Sequence, residues 1–121
     1  MEGVMTQFRA YRMRLKREYI KDYIEIHKKE KIWKSVIEGM IKAGFKKMLI
    51  FQFGQDLILF EEAEDLNTAY LYYEKDPESQ KWDVMISEWM EVYPSFNEIS
   101  GDIEVEKIPV IFYFQNGKLL H

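Results

Sequence analysis

The chain contains no cysteine, which excludes a disulfide scaffold, a thiol nucleophile and any cysteine-ligated metal centre. Histidine is nearly as scarce. Of the two present, His121 is the final residue, so His27 is the one imidazole inside a patterned segment. No window approaches the roughly 20 apolar residues of a membrane span. The opening MEGVMTQFRAYRMRLK lacks the apolar core of a secretory leader. Repeats, low-complexity tracts and linker-like stretches are also missing. These absences lead to the expectation of one domain over residues 1–121, cytoplasmic, with no membrane association.

What is present is a globular composition. Apolar residues make up 47% of the 121 and aromatics 16%, enough for a single core without metals or disulfides. The formal charge is −4. A basic cluster at Arg9, Arg12, Arg14, Lys16 and Arg17 suggests phosphate binding, but Arg12 and Arg14 alternate with Tyr11, Met13 and Leu15. That period of two belongs to a half-buried strand. An acidic chain also has no general field to hold phosphate, so no nucleic-acid partner is expected.

The alternation from Phe8 to Leu15 predicts a first strand. Lys16 to Ala43 reads as helix, interrupted at Lys28–Lys31, with Ile32, Trp33, Val36, Ile37, Met40 and Ile41 at helical spacing in its second half. Gly44 is its stop signal. MLIFQF (Met48–Phe53) and LILFE (Leu57–Glu61) predict two strands joined by a tight turn at Gly54-Gln55-Asp56. Asp65 is placed to cap a further helix. Lys75-Asp76-Pro77 breaks it, and another helix is expected from Pro77 to Tyr93. Ser95 to Glu106 reads as a surface connection. PVIFYF (Pro109–Phe114) carries the strongest strand signal in the chain.

The expected order is β-α-β-β-α-β, an α+β ferredoxin-like plan with one four-stranded antiparallel sheet and helices on one face. The other face would carry several of Tyr11, Met13, Met48, Ile50, Leu59, Phe112 and Phe114, depending on register. Covering it calls for a second copy, so a homodimer is expected.

The stretch from Tyr19 to Trp33 holds the clearest chemistry. On a helix, Tyr19, Tyr23 and His27 follow each other at intervals of four, and Ile20, Ile24 and His27 share a stripe. An imidazole on that face suits general acid–base work, since histidine alone titrates near neutrality when unperturbed. A core histidine with a satisfied hydrogen bond has the same spacing. Core packing is the plain reading of all three tryptophans; it is kept for Trp89, function is favoured for Trp82, and Trp33 fits either. Glu61, Glu62 and Glu64 read as strand-end and helix-entry charges, and nothing fixes a glycosidase-type separation between them.

Tyr23-Ile24-Glu25-Ile26-His27, then Ile32-Trp33, Gly44, the DLILFEEAED stretch and Gln80-Lys81-Trp82 together resemble the L-rhamnose mutarotase family, from about Arg9 to Phe114. The resemblance implies a dimeric α+β barrel that interconverts the α and β anomers of a 6-deoxy sugar without metal or cofactor. On matching positions it implies His27 as acid/base, Tyr23 as a substrate-binding hydroxyl and Trp82 as an aromatic face for the sugar. Trp33, Met48 and Asp83 complete the candidate substrate contacts. Met48 stands where the family has a functional tyrosine, Asp83 where it has a second tryptophan, and the gap from His27 to Ile32-Trp33 is longer here. An acid in place of an indole favours hydrogen bonding over stacking, so L-fucose is an alternative to L-rhamnose. Opening a hemiacetal needs a proton given to the ring oxygen and one taken from the anomeric hydroxyl. Tyr23 or Asp83 are candidates to partner His27.

Two other classes are compatible with the residues. One is a dimeric ferredoxin-like oxygenase in which His27 meets haem iron, marked by a visible absorption band. The other is a non-catalytic sugar-binding or regulatory module, marked by binding without anomer exchange.

Overall fold

The computed structural model describes residues 6–120, without the side chain of Val92; Met1–Met5 and His121 lie outside it. Strand β1 (Gln7–Leu15) leads through a 3₁₀ turn (Arg17–Tyr19) into helices α1 (Ile20–Ile26) and α2 (Lys34–Ala43). The hairpin β2 (Phe45–Phe53) and β3 (Asp56–Ala63) follows, then helices α3 (Leu66–Lys75) and α4 (Pro77–Ser87) and strand β4 (Met90–Val92). The remainder is short: β5 (Ser95–Phe96), β6 (Ile103–Glu104), β7 (Glu106–Ile108), β8 (Phe114–Gln115) and β9 (Lys118–Leu119).

The main sheet is antiparallel in the order β2-β3-β1-β4, and β7 also pairs with β1. Its register sets Arg9 opposite Glu61, Tyr11 opposite Leu59 and Met13 opposite Leu57, with Met48 opposite Glu61 on the other side of β3. Side chains alternate across a strand, so Tyr11, Leu15, Leu57 and Leu59 all point to one face. There they form one core with Tyr23, Val36, Tyr70, Trp82 and Ile86 from the helices.

Local chemistry fixes the helix ends. Gly44 closes α2 at φ 97°, with its N–H donating to the carbonyls of Met40 and Ile41. The Asp65 carboxylate accepts from the Thr68 amide at the start of α3, and Asp76 does the same for Ser79 at the start of α4, with Pro77 in the first turn. The basic cluster is matched by acids: Arg12 meets Asp56, and Arg14 meets Asp56 and Glu91.

Four expectations need correction. The fourth place in the sheet is not taken by Pro109–Phe114. It is shared by β4, at the Arg14–Leu15 end of β1, and β7, opposite Ala10–Arg12. Proline has no N–H to continue the ladder past Ile108, and of the apolar run after it only Phe114 pairs, with Leu119 in a separate hairpin. The last helix ends at Ser87 instead of Tyr93, because the chain turns at Glu88–Trp89 to bury Met90 beside Leu15. Ser95–Glu106 contains the small hairpin β5–β6, whose Ile103 is buried in the core, so it is more than a surface connection. Finally, Tyr11, Met13, Met48, Ile50 and Leu59 do not lie on the face away from the helices; the register assigns that face to Leu49, Phe51, Ile58 and Phe60.

Gly101 anchors the β5–β6 turn at φ +80°, and a Cβ there would lie 2.2 Å from the Asn67 carbonyl oxygen of α3. Gly44 also has a left-handed backbone, but nothing lies within 4 Å of its would-be Cβ. Gly44→Ala is therefore expected to cost only the backbone strain, about 1–2 kcal/mol. Gly101→Ala is expected to cost clearly more, because α3 must move. Urea unfolding of both variants checks this, and equal losses would contradict the packing described for Gly101.

Candidate active site

Helix α1 stops at Ile26, leaving its last carbonyls without helical partners. His27, the residue that caps it, answers one of them: its Nδ1 lies 2.7 Å from the Tyr23 carbonyl oxygen. A carbonyl can only accept, so Nδ1 carries the proton and Nε2 keeps its lone pair. The ring also lies over the Tyr23 phenol at 4.2 Å between centroids and meets Trp82 edge-on at 5.3 Å. Burial lowers the His27 pKa below its usual value, opposed in part by the bond to Tyr23. The imidazole is therefore neutral at pH 7, with a free basic nitrogen.

Between the sheet and the helices is a cavity of about 610 Å³ whose wall includes His27, Tyr23, Trp82, Asp83, Met48 and Ile50. This volume suits a small organic ligand. Five of the six residues singled out in the sequence thus come together. The sixth, Trp33, stands behind the wall, packed edge-on against Trp82 at 5.1 Å. It holds the indole that faces the cavity. Trp89 stacks on Tyr19 away from this space.

Asp83 shares the cavity wall with Glu74, Tyr73 and Tyr93. Burial, and then the neighbouring Glu74 carboxyl, push its pKa up to about 8. Burial raises Glu74 as well. Two carboxyls side by side in a poorly solvated place cannot both ionise freely, so the pair holds a proton near neutrality and can donate as well as accept.

Several residues of this wall escaped the sequence reading. Glu61 is a fully buried carboxylate and not a strand-end charge. It accepts from Arg9 Nε at 2.9 Å and, through a short bond, from the Tyr70 hydroxyl, which lies 2.9 Å from that of Tyr11. Tyr11 and Tyr70 both line the cavity. The period of two through Leu57, Leu59, Glu61 and Ala63 was the available signal, since it turns Glu61 inward with its apolar neighbours. Among the described residues, no three His, Asp or Glu side chains are grouped to hold a metal ion.

Comparison with known proteins bears on the family and the fold. The family model for L-rhamnose mutarotase matches residues 9–114. A UPF0734 protein of Dictyostelium discoideum is 32% identical over 79 residues, which span 62% of this chain and 62% of that relative's length. The crystal structure of an L-rhamnose mutarotase from Formosa agariphila has the same fold, with a TM-score of 0.66 and 16% identity over 90% of this chain and 99% of that one. A conserved protein from Methanosarcina mazei superposes with a TM-score of 0.55 and 16% identity, over 74% of this chain and 86% of its own.

The Asp83 environment has a measurable consequence. A carboxyl whose folded pKa lies above its unfolded value favours folding below the unfolded pKa, and that contribution is lost as pH rises through the folded pKa. For Asp83 the window runs from its ordinary value of 3.8 to about 8. Asp83→Asn cannot ionise, so its stability relative to wild type is expected to improve between pH 5 and pH 8. Urea unfolding at both values checks it, and a difference independent of pH would show that Asp83 ionises as easily folded as unfolded.

Proposed function

Since the chain belongs to the L-rhamnose mutarotase family, we propose that it is an aldose mutarotase, an isomerase exchanging the α and β anomers of a 6-deoxy sugar. L-Rhamnose is the expected substrate and L-fucose the alternative. The observation that carries the reading is the state of His27: a neutral imidazole, its tautomer set by the Tyr23 carbonyl, on the wall of a cavity beside an indole. Such a group takes the proton of the anomeric hydroxyl without first having to lose one of its own. No cofactor is needed for that transfer.

The remaining site residues take roles that follow from their chemistry. Trp82 offers an aromatic surface to the C–H side of the ring, held in place by Trp33. Tyr23 positions both the imidazole, through its carbonyl, and a sugar hydroxyl, through its phenol. Asp83, sharing a proton with Glu74, meets hydroxyls that act as donor or acceptor. Met48 and Ile50 form an apolar wall suited to the methyl group that distinguishes a 6-deoxy sugar.

The whole chain, residues 1–121, acts as one domain in the cytoplasm and pairs with a second copy through the sheet face opposite the helices. That face exposes Leu49 (47%), Phe51 (57%) and Ile58 (38%). The alternation also places Lys47, Arg12 and Glu62 there. Such a patch, apolar with charges of both signs beside it, suits a self-complementary two-fold interface.

Saturation transfer between anomer signals in NMR tests the activity. Wild type should exchange the anomers of L-rhamnose, L-fucose or both well above the buffer rate, and a folded His27→Ala variant should lose about 10²–10⁴-fold. No acceleration by wild type, or full activity in His27→Ala, would overturn the assignment. For the pairing, light scattering should give twice the chain mass, reduced to one by Phe51→Glu; a wild-type monomer would contradict it.

A further inference from the structure

The second proton transfer has two candidate donors on the cavity wall, the Asp83–Glu74 pair and a row of phenols that ends at Glu61. His27 is neutral and takes the anomeric proton, so the ring oxygen must receive a proton from elsewhere. On the wall of the same cavity, three side chains from three elements form a continuous hydrogen-bonded row. Tyr11 of β1 lies 2.9 Å from Tyr70 of α3, and Tyr70 donates through a short bond to Glu61 of β3. The other Glu61 oxygen accepts from Arg9 Nε at 2.9 Å, and Arg9 in turn donates to Asp102 at 3.2 Å. Both tyrosines line the cavity while Glu61 has no exposed surface. The row therefore has one end open to a ligand and the other sealed by an ion pair.

We propose that Glu61, Tyr70 and Tyr11 form a proton relay that serves the ring oxygen of the sugar, with Tyr11 as the group in contact with substrate. This rests on the mutarotase reading and extends it. With Glu61 ionised the hydroxyls point inward, Tyr11 to Tyr70 to Glu61. With Glu61 protonated the same contacts run outward. In ring opening, His27 Nε2 takes the anomeric proton and the electron pair of that O–H bond forms the carbonyl at C1 as the C1–ring-oxygen bond breaks. The ring oxygen takes the Tyr11 proton, Tyr11 is refilled from Tyr70, and Tyr70 from Glu61. Closure on the other face of the carbonyl runs every transfer backwards, so no proton or electron is gained or lost over the cycle.

The electrostatics suit a store that can be filled and emptied. Burial raises the Glu61 pKa against the opposing pull of its bonds to Tyr70 and Arg9, which favours its holding a proton. Burial keeps Tyr11 and Tyr70 far from ionising. The phenols therefore pass a proton on without keeping the charge. Tyr11 bonds to Tyr70 and Tyr70 donates to Glu61, so Tyr70 is the link between the outer phenol and the carboxyl.

Tyr70→Phe removes the linking hydroxyl and keeps the ring that packs edge-on against Phe45. Anomer exchange measured against sugar concentration should show kcat falling about 10²-fold with KM within about twofold of wild type. In mixtures of H₂O and D₂O, the wild-type rate should depend on deuterium content along a curve, as when several protons move together, and the curve should straighten in Tyr70→Phe. Tyr11→Phe should behave alike and serves if Tyr70→Phe does not fold. Unchanged kcat with only a lower melting temperature would make the row structural and overturn the relay alone. Wild type without anomer exchange would overturn the relay together with the mutarotase reading.

Discussion

A carboxylate with no exposed surface lies in an inner strand of the sheet, and the architecture around it can be read as the means of holding it. Glu61 is balanced by Arg9 directly across the β1–β3 register, and Tyr70 reaches it from α3. Arg9 packs over the Tyr70 ring at 5.5 Å and reaches Asp102 in the β5–β6 turn. Four segments of the chain are tied together around this one carboxyl. Taking away one member of such a pair costs about 3–5 kcal/mol, because the other is left uncompensated in a poorly solvated place, whereas the intact pair adds little net stability over apolar packing. A buried ion pair at the floor of a cavity is thus better explained by what it does there than by the stability it adds.

The cavity follows from the same geometry. The helix-facing side of the sheet carries Tyr11, Met13, Met48 and Glu61 among its aliphatic side chains, and the helices span them without filling the space. Helix α1 is cut short at Ile26, so His27 acts as its terminal cap and projects into the cavity instead of continuing a helical stripe. One hydrogen bond to Tyr23 then repairs the helix end, chooses the tautomer and frees the reactive nitrogen. Local folding and chemistry are served by one contact. The wall combines a neutral base, a carboxyl pair with a shared proton and phenols that do not ionise, a set suited to moving protons among neutral hydroxyls.

Much of this was legible in the chain. Period-two and helical spacing located the first three strands and all four helices, and Asp65, Asp76-Pro77 and Gly44 marked real boundaries because caps depend on local chemistry. Of the residues singled out in the sequence, His27, Tyr23, Trp82, Asp83 and Met48 line one cavity, while Trp33 stands behind it against Trp82. What was not legible depended on tertiary competition. Pro109–Phe114 has the propensity of a strand, but β4 and β7 already occupy the edge of β1. The faces of the sheet were inverted because alternation fixes which residues share a side and not which side the helices cover. In the sequence Glu61 reads as a strand-end charge, because its partners, Arg9 and Tyr70, are set by register and helix packing, which no local window contains.

A crystal structure with L-rhamnose bound is the most direct test of the central claim. Expected is a sugar in the cavity with its anomeric oxygen within hydrogen-bond distance of His27 Nε2, its ring oxygen toward Tyr11 and its methyl group near Met48. A sugar bound elsewhere, or one that turns its anomeric carbon away from His27, would contradict it.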